Sequence, residues 1–280
     1  MGSTEDRPGG VTPSPGDPAQ TYEDYFVRYQ FRPWAGELLA RAEPVAGERV
    51  LDVACGTGTV ARTAALGVPG LGRVVGLDPS PAMLTVARAA SAAEGLDIEW
   101  VEGSAGELPF PDGAFDLVVI QQGLQFVPDK VAAVGEFLRV LRPEGRVVSA
   151  TWMSLDHHPL RRALAGAIER HAGRPVMGLP FSFGDRDALA ALFGGAGFDP
   201  VTTERVERAV RYPDPSRWVE LTVMSAAAAV PELGAMGATA RAAMVAAVRD
   251  ELAGPLRDAT EGGEVVVETL AWVVTARRPG

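Results

Sequence analysis

Two carboxylates and a pair of glycines are the residues best placed to do chemistry in this chain. Gly56 and Gly58 follow a short apolar run, Val50, Leu51, Val53 and Ala54, and precede the helix-forming residues 62–66. The run is too short for a helix and suits a buried strand. A strand, a glycine turn and a helix bring the backbone N–H groups of a helix start up to a ligand. The spacing Gly56-x-Gly58-x-x-Ala61 fits a nucleotide-binding turn. Asp52 lies at the tip of the strand, four positions before Gly56. A pyrophosphate seated on this turn would meet that carboxylate, and like charges in a partly desolvated cleft repel; a ligand with positive charge would be attracted. Asp78 ends a second apolar run, 73–78, and lies 20 residues beyond Gly58. An acid at that distance sits at the next strand's end and accepts from ribose hydroxyls.

The reacting end is expected further along. Residues 115–120 form a nearly continuous apolar run, as a central parallel strand should. Gln121, Gln122, Gly123, Leu124, Gln125 and Phe126 follow it. Ligands of open α/β sheets bind beyond such strand ends, so these amides mark the expected meeting place of donor and acceptor; a polar loop that caps the next helix is the plainer alternative. His157 and His158 follow the fifth strand, 146–151, and are the best-placed histidines for a general base, against the simpler reading of a polar loop at a helix start. His171 ends a helix, where it complements the dipole. Lys130, the only lysine, lies in a loop beside Pro128 and Asp129, a poor setting for a Schiff base. Cys55 is the only cysteine, which excludes an internal disulfide or a cysteine-rich zinc site and points to a reducing compartment. No His, Asp and Glu cluster has metal-ligand spacing, so no metal is expected.

Residues 49–61 resemble motif I of the class I S-adenosylmethionine-dependent methyltransferases, whose usual form is hydrophobic–acidic–x–Gly–x–Gly–x–Gly, with Ala54 here in the place of the first glycine. That cofactor carries a sulfonium and an ammonium, which suits Asp52. Residues 115–120 resemble motif IV, and Leu141-Arg142-Pro143-x-Gly145 is a further mark of the family. Ser104 and Ala105, followed by Leu108-Pro109-Phe110, occupy the place of the family's pair near the adenine; serine instead of the commoner aspartate keeps an acceptor but loses the charge. The resemblance covers roughly residues 41–152. It implies S-adenosylmethionine as cofactor, held by Asp52, Ala54, Gly56, Gly58, Asp78, Pro79, Met83, Ser104, Ala105 and Gln121. Met83, on the first turn of a helix capped by Ser80 with Pro81 at its start, can lie on an adenine face. The resemblance is silent about the acceptor. Segments before motif I often supply a lid in this family, and Tyr22, Tyr25, Phe26, Tyr29 and Phe31 stand at near-helical spacing, with Pro33 and Trp34 at a second helix start. Packing is the plainer reading of this stripe; the sharper one gives Tyr25, Tyr29, Trp34, Gln122, Gln125 and Trp152 to the acceptor.

The elements that must position these residues alternate strand and helix over 50–152, which gives an α/β, Rossmann-like doubly wound sheet. It is mostly parallel with an antiparallel last strand at 264–276, plus helical cap insertions. Residues 1–19 are expected to form a disordered tail, 20–44 the lid helices, and 45–280 a methyltransferase domain with insertions at about 153–184 and 213–263. Helices are expected at 160–170, 185–193, 216–229 and 238–252, and the small apolar run 226–229 is a candidate homodimer contact. The 280 residues are 47% hydrophobic with a formal net charge of −10, which suits a large globular domain and argues against nucleic acid as a substrate. No run is long enough to span a membrane and the first residues lack a signal-peptide core, so a cytoplasmic protein is expected. Methyl transfer is an in-line displacement that gains most from alignment and exclusion of water. The expected activity is methyl transfer to a small, apolar or aromatic acceptor, of the natural-product or quinone kind, at O, N or C. An NAD-dependent oxidoreductase fits the glycine spacing but not Asp52; a non-catalytic protein with this fold is the other alternative.

Overall fold

A computed structural model describes residues 17–228 and 236–280. The strands are β1 (Arg49–Val53), β2 (Arg73–Asp78), β3 (Glu99–Glu102), β4 (Phe115–Gln121), β5 (Leu141–Trp152), β6 (Val201–Tyr212), β7 (Thr260–Glu261) and β8 (Glu264–Arg277). They form one sheet in the order β3-β2-β1-β4-β5-β8-β6, with β7 beside β8. Strands β3 to β5 pair in parallel, and β8 runs antiparallel between β5 and β6. This is the expected sheet with its antiparallel last strand. The apolar runs are continuous because both faces are covered. Val50, Leu117, Val119 and Val148 enter one core, and Leu51, Val53, Val118, Ile120 and Val147 enter the other.

The helices are α1 (Pro18–Thr21), α2 (Arg32–Ala42), α3 (Thr59–Gly67), α4 (Pro81–Ala93), α5 (Lys130–Val140), α6 (Pro159–Ala172), α7 (Arg186–Gly195), α8 (Pro215–Ala228), α9 (Ala238–Glu251) and α10 (Ala253–Asp258). The first core receives Trp34 and Leu38 of α2, Leu164 and Ile168 of α6, Trp218 of α8 and Val248 of α9. The second receives Phe137 of α5 with Leu189 and Phe193 of α7. Full burial of such side chains contributes about 1.5–3 kcal/mol each. Helix α9 packs on both α6 and α8, so it joins the two expected insertions.

The amino-terminal segment departs from expectation. Residues 22–31 are a π-helix that runs into α2 without a break. The Arg32 N–H reaches back to the Val27 carbonyl, an i→i+5 bond. Pro33 follows inside the first turn of α2. It has no N–H to lose, so it marks the change from π to α pairing and not a new helix start. The expected disordered tail lies outside the described residues over 1–16, and its last residues belong to structure: Asp17 caps α1 by accepting the Ala19 N–H at 2.7 Å, and Ala19 is buried. The expected dimer run 226–229 ends outside the described residues.

One feature of the sheet shapes everything above its carboxyl edge. Strand β5 ends where Trp152 pairs with Ala271. The β6–β8 ladder continues alone from the Glu207–Leu270 pair to the Tyr212–Val265 pair, an overhang of about 20 Å at ~3.3 Å per residue. Trp34 of α2 donates through Nε1 to the Thr269 hydroxyl of this ribbon at 2.9 Å. The amino-terminal helices are thereby tied to the ribbon. Among the described residues no helix is long and apolar enough to cross a membrane.

Candidate cofactor and acceptor site

The turn after β1 is left-handed at Ala54 (φ 52°), Gly56 (φ 56°) and Gly58 (φ 80°), and Gly58 starts α3. Gly58 has a second reason to be glycine. A Cβ there would stand 2.0 Å from the indole of Trp100 on β3, and one on Gly76 would stand 2.2 Å from the same ring. Trp100 lies in the space these two glycines leave and donates through Nε1 to the Ser91 hydroxyl at 3.1 Å. Nothing in the spacing of the motif announces this ring.

Both predicted carboxylates meet at the turn. Asp78 accepts the Gly56 N–H at 2.8 Å through one oxygen and the Ser80 N–H at 2.9 Å through the other. Asp52 is not at the strand tip but one residue inside it, buried, and accepts the Ala61 N–H of α3 at 3.0 Å. It therefore also pins the first turn of α3 to β1. Burial pushes the Asp52 carboxyl up to about 8, against the Ala61 N–H and with the help of the Asp78 charge. Burial raises Asp78 as well, against its two N–H donors. Among the described residues neither carboxylate forms an ion pair with a side chain. Two acidic side chains without a basic side-chain partner among the described residues, beside a left-handed glycine turn, favour a cationic nucleoside, which draws Asp52 into its ionised form, over a diphosphate, so the residues present fit S-adenosylmethionine. Cys55 is buried in the turn, its thiol pushed well up by burial and by both carboxylates, as a structural thiol should be.

The amino-terminal helical segment lies against this turn. The Tyr22 ring stands 3.8 Å from where a Gly56 Cβ would be. Burial and the nearby Asp78 raise its phenol, so the hydroxyl stays a donor. Tyr22 also packs against Phe31 with the rings tilted by 30°, centroids 5.2 Å apart. The aromatic stripe of the sequence was the signal that pointed to it. The latch is Arg62 of α3, whose side chain is 2% exposed: it pairs with Glu23 of the lid at 2.8 Å and Glu94 after α4 at 3.2 Å, and donates to the Thr57 carbonyl.

The other predicted cofactor residues are more scattered. Pro79 and Ser104 are exposed, Met83 is half-buried and Ala105 is buried. The Ser104 hydroxyl accepts the Gly106 N–H at 3.3 Å. Gln121 ends β4 and donates to the Phe31 carbonyl at 3.0 Å, with its own amide oxygen buried and unpartnered.

Beyond Gln121 the cleft changes character. Gln122 is left-handed (φ 46°) and both of its side-chain polar atoms are buried without a partner. Gln125 donates to the Gln122 carbonyl at 2.9 Å, and its oxygen is likewise free. Tyr25 stacks on Tyr212 of the ribbon at 5.3 Å and meets Tyr29 edge-on at 5.3 Å; the Tyr25 hydroxyl is buried and unpartnered. Trp152 lies against Phe31, Trp34 and His158. The two histidines separate. His157 is exposed and sits 3.0 Å from the Ser154 hydroxyl, on the surface and not in the cleft. His158 is buried, its Nδ1 3.5 Å from the Glu268 carbonyl and its Nε2 unpartnered. Burial, and then the Arg161 charge, push its pKa down to about 4. Trp34, expected to touch the acceptor, is fully buried with its N–H committed to Thr269; it is core. Among the described residues no group of side chains is arranged to hold a metal ion.

Comparison with known proteins agrees with this geometry. Residues 50–145 match the family described as a methyltransferase domain. The chain is 37% identical over 171 residues to the demethylmenaquinone methyltransferase of Thermus thermophilus, covering 61% of this chain and 73% of that protein. The chain belongs to the class I S-adenosylmethionine-dependent methyltransferases. It is also 44% identical over 118 residues to the 2-phytyl-1,4-naphtoquinone methyltransferase of Synechococcus elongatus, covering 41% of this chain and 50% of that protein. Among solved structures it resembles the YcgJ protein of Bacillus, with a TM-score of 0.58 and 18% identity over 88% of this chain and 98% of that one; this likeness concerns the fold. The methyltransferase uses S-adenosylmethionine and passes its methyl group to a small-molecule acceptor. The oxidoreductase reading, which rested on glycine spacing alone, falls away.

Proposed function

We propose that this methyltransferase acts on an apolar, aromatic acceptor of the quinone or quinol class. The observation that carries the reading is the cluster beyond Gln121, where the rings of Tyr25, Tyr29, Tyr212 and Trp152 pack together and both amide atoms of Gln122, the amide oxygen of Gln125 and Nε2 of His158 are left without partners. Flat rings bind flat rings, and the free amides fix their orientation. The names of the relatives from Thermus and Synechococcus support the same class.

Bound S-adenosylmethionine supplies an electrophilic methyl group on a sulfonium. Asp78 is suited to accept from ribose hydroxyls, Asp52 would supply negative charge to the cation in its ionised form, and the Gly56–Gly58 turn would let the ligand approach the backbone closely. Ala54, Met83 and Ala105 would line the rest, and Tyr22 would shut out water. Pro79 and Ser104, being exposed, would contribute at the rim. Neutral His158 has the tautomer in which Nδ1–H faces the Glu268 carbonyl and Nε2 can accept a proton. The lid over 20–44, the domain over 45–280 with its caps, and a cytoplasmic setting are parts of the same proposal. A single buried thiol and the lack of a membrane-crossing helix among the described residues support that setting.

Incubation with radiolabelled S-adenosylmethionine and dithionite-reduced naphthoquinone should give labelled, ring-methylated product. Label passing to simple amines and to no hydroxylated ring would overturn the acceptor class.

A further inference from the structure

Among the described residues two arginines are buried, and they are provided for differently. Arg62 has two carboxylates. Arg161, on the first turns of α6 and 7% exposed, donates through Nη2 to the Gln30 amide oxygen and forms no ion pair among the described residues. The same Gln30 oxygen accepts from the Tyr212 hydroxyl at 2.8 Å, and both Gln30 and Tyr212 are buried. A buried guanidinium without a counter-ion is strongly unfavourable. The chain has 36 acidic residues against 26 basic ones, so a carboxylate was not lacking for want of supply.

The neighbours of Arg161 are rings and donors. Tyr212 stacks on Tyr25, whose hydroxyl is unpartnered, and packs near Trp218, whose indole N–H is unpartnered too. His158 lies in the Arg161 field, which helps to hold it neutral. A neutral imidazole of such low basicity is a weak proton acceptor, so an acceptor that arrives already ionised would need less from it. One fixed positive charge, a phenol O–H and an indole N–H beside packed aromatic rings are the complement of an oxygen anion on an aromatic ring.

We infer that Arg161, oriented by Gln30 and Tyr212, is the counter-ion for an oxyanion carried by the aromatic acceptor, which is bound ionised. This rests on the acceptor reading above and sharpens it: the substrate class becomes hydroxylated or carboxylated rings, and neutral rings are bound weakly. Arg161 is a specificity-determining residue, remote from the Asp52–Asp78 turn.

Calorimetry on the full chain saturated with S-adenosylhomocysteine tests this with three probes. They are lawsone at a pH where its hydroxyl is ionised, lawsone methyl ether of nearly the same shape without the charge, and naphthoate. Wild type should bind an anionic probe about tenfold or more tightly than the ether; lawsone in front of naphthoate places the anion on a ring oxygen, and the reverse order places it on a carboxyl group. Arg161→Met should bring anion and ether to within about twofold, with S-adenosylhomocysteine affinity unchanged. Arg161→Lys, which keeps charge without the fork, should keep part of the preference and stands in if the Met variant does not fold. Equal binding of anion and ether by wild type, or an undiminished preference in either folded variant, overturns the inference. Failure of wild type to bind any of the three rings counts instead against the aromatic acceptor class itself.

Discussion

The two halves of the cleft are built by opposite means. The cofactor half is local: Asp52, Gly56, Ala61, Asp78 and Ser80 come from two consecutive strand-to-helix turns, and both Asp78 oxygens and one Asp52 oxygen are met by backbone N–H groups. The proposed acceptor half is assembled from Gln30 of the amino-terminal helix, Gln122 and Gln125 after β4, His158 and Arg161 at the start of α6 and Tyr212 of the ribbon. Several polar atoms there, on Gln122, Gln125 and His158, have no partner. A site for one invariable ligand is made from backbone turns, whereas a site that sets substrate choice is made from side chains on elements of different origin. Disturbing each half, and the joints between them, separates the two designs.

The largest effect should come from the latch that ties lid to cofactor half. Arg62→Met fills the same space and leaves Glu23 and Glu94 facing one another, partly screened because their side chains are 14% and 26% exposed. Breaking a buried ion pair in this way costs about 3 kcal/mol. Urea unfolding should show that loss, and hydrogen exchange should speed up across residues 22–31. A variant as stable as wild type would mean that the lid is held by its aromatic packing alone.

Asp78→Ala should affect the cofactor half and leave the other intact. Loss of charge-assisted bonds worth about 1.5–3 kcal/mol corresponds to roughly 10- to 100-fold weaker S-adenosylhomocysteine binding. Calorimetry reads this directly, and unchanged affinity would remove Asp78 from the site. Binding of naphthoquinones to this variant should match wild type.

The pH dependence separates the halves by charge. The Asp52 carboxyl, raised from 3.8 to about 8, binds its proton more tightly in the folded protein than in the unfolded chain. Its contribution to stability is therefore complete below the unfolded value and is lost as pH rises from about 4 to about 8. The free protein should lose resistance to urea over that window, and Asp52→Asn should flatten the slope. A sulfonium favours the ionised carboxylate, so the affinity ratio of S-adenosylmethionine to S-adenosylhomocysteine should rise by up to about tenfold across the same range, the worth of one pKa unit. A ratio independent of pH would place the sulfonium away from Asp52.

How much of this was legible in the sequence follows the same division. The glycine turn, the acid 20 residues beyond Gly58 and the alternation of strand and helix that gives a mostly parallel sheet rest on local spacing, and the structure has them. The acceptor half rests on contacts between distant residues, Gln30 with Arg161 and Tyr212 and Trp34 with Thr269. Periodicity has no purchase on such contacts, so Trp34 read as a ligand-facing ring and proved to be core. His157 and His158 were inseparable by spacing, and only the start of α6 turns one outward and the other in. The π-helix was hidden because its aromatic spacing resembles that of an α-helix over one or two turns.

The smallest effect concerns the point where the halves touch. Ala54 stands in a left-handed conformation where the family motif has glycine, a strain of about 1–2 kcal/mol for a residue with a side chain. Its methyl group is 2.7 Å from the place a Cβ on Gly123 would take, so the alanine in the cofactor turn is admitted by a glycine in the acceptor loop. Ala54→Gly relieves the strain but frees the unfolded chain by about 0.4–1 kcal/mol, leaving a gain of a few tenths of a kcal/mol. Gly123→Ala alone has no room and should cost about 1–3 kcal/mol. In the Ala54→Gly background one of its close contacts is gone, and the cost should fall by about 1 kcal/mol, a coupling within the range of touching residues. Urea unfolding of the four proteins in this cycle measures it. Additive effects would mean that the contact with Ile120, at 3.1 Å from the same position, and not Ala54, keeps residue 123 glycine.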